Sequence, residues 1–171
     1  MLLQWSAPEY MPHSFQVSGL SGTVGHKQTG NCFDLTKQVA DGFVGMQELS
    51  KGLFLVQSEM AFKRETELYE EYPERKVFQL SFCMNGICEW DYRQKQGEHY
   101  QLSPTQCSLQ CGTFSQCVSH FGSEQPYHTL SISLEEGRFS SLTEDLEAAH
   151  LIRRDDKICT HVFFTTPEIR L

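Results

Sequence analysis

The sequence predicts a mainly-β domain, a barrel or sandwich of short strands, with an irregular arm before it and helices after it. Three observations predict this. Between residues 53 and 134, apolar side chains recur at every second position, and turn residues (Gly, Pro, Asn, Ser) break the runs at short intervals. That is the mark of a sheet that turns one face inward. After residue 135 the period changes, because Phe139, Leu142, Leu146 and Ala149 recur every three or four positions, as on one face of a helix. The chain has 171 residues, 39% hydrophobic and 21% charged, which suits one real core in one domain and excludes wholesale disorder.

Each element follows in order. Residues 1–51 form an arm and lead-in. Ser18 to Gly25 is rich in Gly and Ser and reads as irregular, and residues 32–51 are mixed enough to hold a short helix or turn. From Leu53 to Phe62, Phe54, Val56, Met60 and Phe62 share a parity, which gives a strand with one strongly apolar face. Residues 63–75 carry Glu65, Glu67, Glu70, Glu71 and Glu74 and contain Pro73. With no face to bury, they read as a solvated loop. From Val77 to Met84, Phe78, Leu80, Phe82 and Met84 alternate. Asn85-Gly86 is a strong short hairpin signal, because both residues tolerate positive φ. The expected return strand, Ile87 to Arg93, puts Cys88, Trp90 and Tyr92 on one face and Glu89, Asp91 and Arg93 on the other. Shorter strands follow at 100–102, 107–111, 115–120 and 127–134. Ile158 to Phe164 is an apolar run that fits either type. Thr166, Pro167 and Glu168 have the order of a helix start, and from this the chain is expected to continue past Leu171.

Charge and motifs exclude several functions. With 14 basic against 22 acidic residues the net charge is −8, which disfavours direct contact with nucleic acid or an anionic membrane. No apolar run approaches the roughly 18 residues that span a bilayer, and the N-terminus lacks the regions of a signal peptide. A cytoplasmic protein without membrane contact is expected. The seven cysteines, an odd number, then read as buried thiols and not as a disulfide framework. Cys83 and Cys88 flank the Asn85-Gly86 turn with parities that suggest opposite faces. There is no Gly-x-Ser-x-Gly elbow, phosphate-binding loop or dinucleotide-binding glycine pattern. The seven histidines include no His-x-His pair. His120 and His128 flank one loop, and their approach there reads as coincidence. The remaining metal candidate is Cys107, Cys111 and Cys117. On an extended strand, Cys107 and Cys111 would stand about 13 Å apart, too far to share a zinc ion.

The stretches Leu53-Phe54-Leu55-Val56-Gln57, Phe78 to Gly86, Gly97 to Pro104, Phe139 to Leu142 and Thr166 to Arg170 resemble the N-terminal sensory domain of AraC-type transcriptional regulators. The resemblance is to the subgroup typified by the pyochelin-responsive regulator. It implies a cupin-like β-barrel (a double-stranded β-helix) with an N-terminal arm and C-terminal α-helices. Residues 1–51 would be the arm and lead-in, residues 52–134 the effector-binding barrel, and residues 135–171 a helical segment with the start of a dimerisation helix. It implies a homodimer that binds a small-molecule effector, in this subgroup often a ferric siderophore, with no cofactor and no catalysis. DNA would be bound only through an absent C-terminal helix-turn-helix domain. In such a barrel the ligand candidates are Trp90 and Tyr92, each a flat stacking surface with one donor, together with Phe82 and the cation Arg64. Trp5, Tyr10 and Phe15 on the arm would close the mouth. Two other readings stay open: a stand-alone cupin metalloenzyme or isomerase, and a metal, haem or redox sensor built on Cys107, Cys111 and Cys117.

Overall fold

The computed structural model describes residues 2–6, 15–17, 31–34, 40–92, 97–123, 125–135, 142, 144–150, 152 and 158–165. These carry eleven strands: β1 (Leu2–Ser6), β2 (Phe15–Val17), β3 (Asn31–Asp34), β4 (Ala40–Ser50), β5 (Leu53–Phe62), β6 (Thr66–Asn85), β7 (Cys88–Tyr92), β8 (His99–Leu102), β9 (Gln106–Phe121), β10 (Pro126–Glu135) and β11 (Ile158–Phe164). Among the described residues no helix is long and apolar enough to cross a membrane.

Two long strands organise the molecule. β6 and β9 pair antiparallel along almost their whole length, with a register break between Glu71 and Arg75. On one side of that break, Val77 to Asn85 of β6 carries β10, then β5, β4 and β3, while Gln106 to Gly112 of β9 carries β11. On the other side, Glu67 to Glu71 of β6 carries β1 and β2. Cys117 to His120 of β9 there carries β7 and β8. Two layers therefore share one ribbon.

Between the layers lies the larger core. It joins Ala40, Val44, Met60, Phe62, Cys83 and Tyr127 from one layer to Leu68, Cys88, Trp90, Tyr92, Leu102, Cys117 and Phe121 from the other. Phe62 stacks on Phe121 with ring centroids 4.8 Å apart, and burial of each such side chain is worth about 1.5–3 kcal/mol. A second core covers the outer face of the first layer. Phe78, Leu109, Cys111 and Cys159 are capped there by Ile152, Leu142 and Leu146.

The mainly-β expectation holds, and several of its details change. The arm is not wholly irregular, because β1 and β2 lie within it, and β3 and β4 replace the short helix or turn expected at 32–51. The charged run from Thr66 onward is the first part of β6 and not a loop. One parity of it, Thr66 and Leu68, is buried, while Glu67 stays exposed. Asn85-Gly86 is a turn but not a hairpin: β7 pairs with β8 and β9, so the turn carries the chain from one layer to the other. Gly86 there has φ 78°. The helical expectation after 135 shrinks to a short helical piece at Leu142 and 144–148, after which the chain returns as β11. The helix start at Thr166 to Glu168 lies outside the described residues, as does the lead-in around Phe139.

Candidate functional site: the space between the two layers

The two walls of the interior differ in chemistry, and the pleat explains why. On β6, Gln79, Ser81 and Cys83 point inward, while Phe78 and Leu80 point into the outer core. The same parity runs across neighbouring strands. Ser131, Ser81 and Ser108 stand opposite one another on β10, β6 and β9. Ser133, Gln79, Gln110 and Thr160 form the adjacent row from β10 to β11. Ser131 Oγ donates to Ser81 Oγ at 2.8 Å, and Gln79 Nε2 donates to the same oxygen at 3.0 Å. One inner wall therefore carries a band of hydroxyls and amides beside its apolar residues.

The facing wall is aromatic. Trp90 and Tyr92 alternate inward on β7, and Tyr100 comes from β8 beside them. Trp90 and Tyr100 are stacked at 5.6 Å, and Tyr92 meets Tyr100 edge-on at 5.7 Å. The two walls touch where Thr160 Oγ1 donates to Tyr92 Oη at 3.4 Å. Burial raises the Tyr92 hydroxyl well above the ordinary tyrosine range. Burial, then the hydrogen bond to Glu98 and its charge, does the same for Tyr100. Both phenols therefore stay neutral: the Tyr92 hydroxyl accepts from Thr160, and the Tyr100 hydroxyl donates to Glu98.

Among the described residues, Ser108 Oγ and Trp90 Nε1 are buried in this interior without a hydrogen-bond partner. Ser108 is 0% exposed and Trp90 4%. A buried unmade hydrogen bond costs about 1–3 kcal/mol, so these two atoms are the polar groups here with bonding capacity to spare. Apart from aromatic residues and cysteines, the buried polar side chains among the described residues are all serine or threonine: Thr66, Ser81, Ser108, Ser119, Thr129 and Ser131. Among the described residues the interior offers hydroxyls and no buried charge, which suits a ligand of zero net charge.

Residues 41–171 match the family described as the regulatory protein PchR N-terminal domain. The chain belongs to this family. The PchR-type domain also resembles several solved structures at low identity. A cupin domain from Bordetella pertussis is 11% identical at TM-score 0.41, over 65% of this chain and 99% of that one. A bacterial pirin from Escherichia coli, in complex with nickel(II), is 10% identical at TM-score 0.46, over 84% and 55%. The Clostridium difficile EutQ protein is 8% identical at TM-score 0.38, over 56% and 64%. The PchR-type domain thus spans less than two thirds of the last two. No curated protein sequence matches it.

Of the residues expected to bind ligand in this PchR-type domain, the structure brings Trp90 and Tyr92 together in the interior, at 4% and 3% exposure. It does not bring the other two there. Phe82 has the parity of Phe78 and Leu80 and stands opposite Leu130 and Cys107, on the outer face. Arg64 is exposed in the bend between β5 and β6, where its carbonyl oxygen accepts from Thr66 Oγ1 at 2.8 Å. The three cysteines of the metal alternative are split. Cys117 lies in the inner core, while Cys111 lies in the outer one and Cys107 shares its face. Cys83 and Cys88, whose parities suggest opposite faces, both lie in the inner core, because the Asn85-Gly86 turn changes layers. Among the described residues no group of three or more His, Cys, Asp or Glu is arranged to hold a metal ion. The hydroxyl band and Tyr100 are what the sequence-based expectation lacks. A signal for the band exists: Thr129, Ser131 and Ser133 alternate with Leu130, Ile132 and Leu134.

Proposed function

We propose that this domain is the effector-sensing part of an AraC-type regulator and that it binds a small, neutral, ring-bearing molecule between its two layers. The observation that carries this is the pair of orphaned polar atoms, Ser108 Oγ and Trp90 Nε1, in an interior lined by hydroxyls on one wall and aromatic rings on the other. An aryl group would stack on Trp90 and Tyr100, while oxygen or nitrogen acceptors would take the serine and tyrosine hydroxyls. A ferric siderophore is the narrower reading. A chelate whose ligand charges cancel those of the iron meets the demand for zero net charge, and phenolate rings meet the aromatic wall. No catalytic step is assigned to the domain.

Regulation would run by population shift. Ligand that favours one packing of the two layers favours one position of β11 and of whatever follows it, in a homodimer whose DNA contacts lie in a separate domain. The test is tryptophan fluorescence and calorimetry of the chain against ferric siderophores with phenolate or catecholate groups, and against haem. Saturable binding to an aryl chelate, weakened at least about tenfold in Trp90→Ala and Ser108→Ala, is expected, with Trp90→Phe as the folded control. Saturable binding unchanged by all three variants would place the ligand elsewhere, and absence of binding to every probe would refute the siderophore reading.

A further inference from the structure

Cys111 on β9 and Cys159 on β11 are direct partners in the antiparallel ladder between those strands. They are the one such pair of cysteines among the described strand registers, since Cys107 faces Phe163 and Phe82, Cys117 faces Tyr92 and Glu70, Cys88 faces Leu102 and Cys83 faces Thr129. Both side chains belong to the outer core, so they stand on the same face. Both are thiols. Direct antiparallel partners have Cα atoms about 4.5–5.5 Å apart, inside the roughly 4.4–6.8 Å that a disulfide spans.

We propose that Cys111 and Cys159 form a reversible disulfide that staples β11 to β9. The co-reactant is a low-molecular-weight disulfide such as oxidised glutathione. One cysteine thiolate attacks it, forms a mixed disulfide and releases one small thiol. The second cysteine, losing its proton, displaces the other small thiol, so the two protein thiols are oxidised and the small disulfide is reduced to two thiols. Access comes through β11. Among the described strands it pairs with β9 alone, and strands at a sheet margin open locally more readily than central ones. The staple matters for the interior because Thr160, next to Cys159, is the residue of β11 that reaches Tyr92. A bond at 159 fixes that contact whatever ligand the interior takes, so the proposal stands apart from the effector reading.

The test equilibrates the chain with reduced and oxidised glutathione, blocks thiols by alkylation, and maps linked peptides by mass spectrometry without reduction. The expected result is a Cys111–Cys159 peptide that dithiothreitol removes, together with a rise in melting temperature of about 5 °C or more on oxidation. Both effects vanish in Cys159→Ser and in Cys111→Ala and persist in Cys107→Ser, and either of the first two variants suffices if the other does not fold. The proposal is overturned if folded, fully oxidised protein yields no such peptide or yields chiefly Cys83–Cys88. It is equally overturned if the thermal shift is absent, or survives in the variants that lack the pair.

Discussion

A Cβ added to Gly86 would sit 2.5 Å from the carbonyl oxygen of Pro126, and its φ of 78° is one that L side chains rarely adopt. The left-handed conformation alone costs about 1–2 kcal/mol for a residue with a Cβ, and here backbone must also move. Gly86→Ala is expected to destabilise the domain by about 2 kcal/mol or more, read as a lowered urea midpoint at unchanged slope. Ser108→Ala should do the opposite of what its burial suggests. Its hydroxyl is buried without a partner, so removing it from the empty protein leaves stability unchanged or raises it by about 1 kcal/mol, while ligand affinity falls. A large loss of stability in Ser108→Ala would show that the oxygen serves the fold. At this scale, the shared inward face of Trp90 and Tyr92 was legible because their strand alternates apolar and charged. Phe82 misled for a physical reason. Alternation says which residues share a face, not which face is inside, and here the more apolar face of β6 is the outer one, under Leu142, Leu146 and Ile152.

Between β8 and β9 the turn at Ser103 to Gln106 closes with Gln106 N donating to Ser103 O at 3.0 Å. Pro104 takes the second position and Thr105, with φ 73°, the third. A β-branched residue there is strained. The turn keeps it while the Thr105 carbonyl oxygen accepts from both the backbone N (2.8 Å) and the Oγ1 (2.9 Å) of Thr165, just past the end of β11. Thr105→Gly retains that oxygen and removes the strain, and should leave stability equal or raise it by up to about 1 kcal/mol in a urea titration. On the outer face of β7, Asp91 lies between two histidines, Oδ1 3.0 Å from His99 Nδ1 and Oδ2 3.0 Å from His120 Nε2. Burial raises the Asp91 carboxyl, but the two histidine hydrogen bonds and their charges outweigh it and hold it below 3.8. A carboxyl lowered on folding contributes stability above its unfolded value and loses it as pH falls through the folded one. The acid limb of a pH–stability curve below about pH 4 should therefore be shallower in Asp91→Asn than in the parent. The cross-strand neighbours that build this cluster were invisible in the sequence, because Asp91, His99 and His120 meet only once the strands pair. The charged run from Thr66 hid a strand for a related cause. Its glutamates declare a solvated face, and with only one side buried the other parity carries a weak signal.

At the scale of the molecule, β6 and β9 belong to both layers, so neither layer has a complete set of strand partners without the other. Unfolding should then be a single transition, with Trp fluorescence and far-ultraviolet circular dichroism giving coincident urea curves. Two separated transitions would show layers that stand alone. Many short strands with frequent turns made a mainly-β fold readable from the sequence. The pairing was not readable, because a strong turn signal such as Asn85-Gly86 fixes where the chain bends and leaves open which strand it meets next. The short helical piece and the return of the chain as β11 escaped for the same reason: an apolar run of seven residues fits either period, and only the vacant side of β9 decided it.

The row Ser131, Ser81, Ser108 has one more consequence, which concerns exclusion. A hydrocarbon guest would offer Ser108 Oγ no partner, and the hydroxyl left unpaired beside it would count against that guest. An interior so lined selects chiefly by what it turns away.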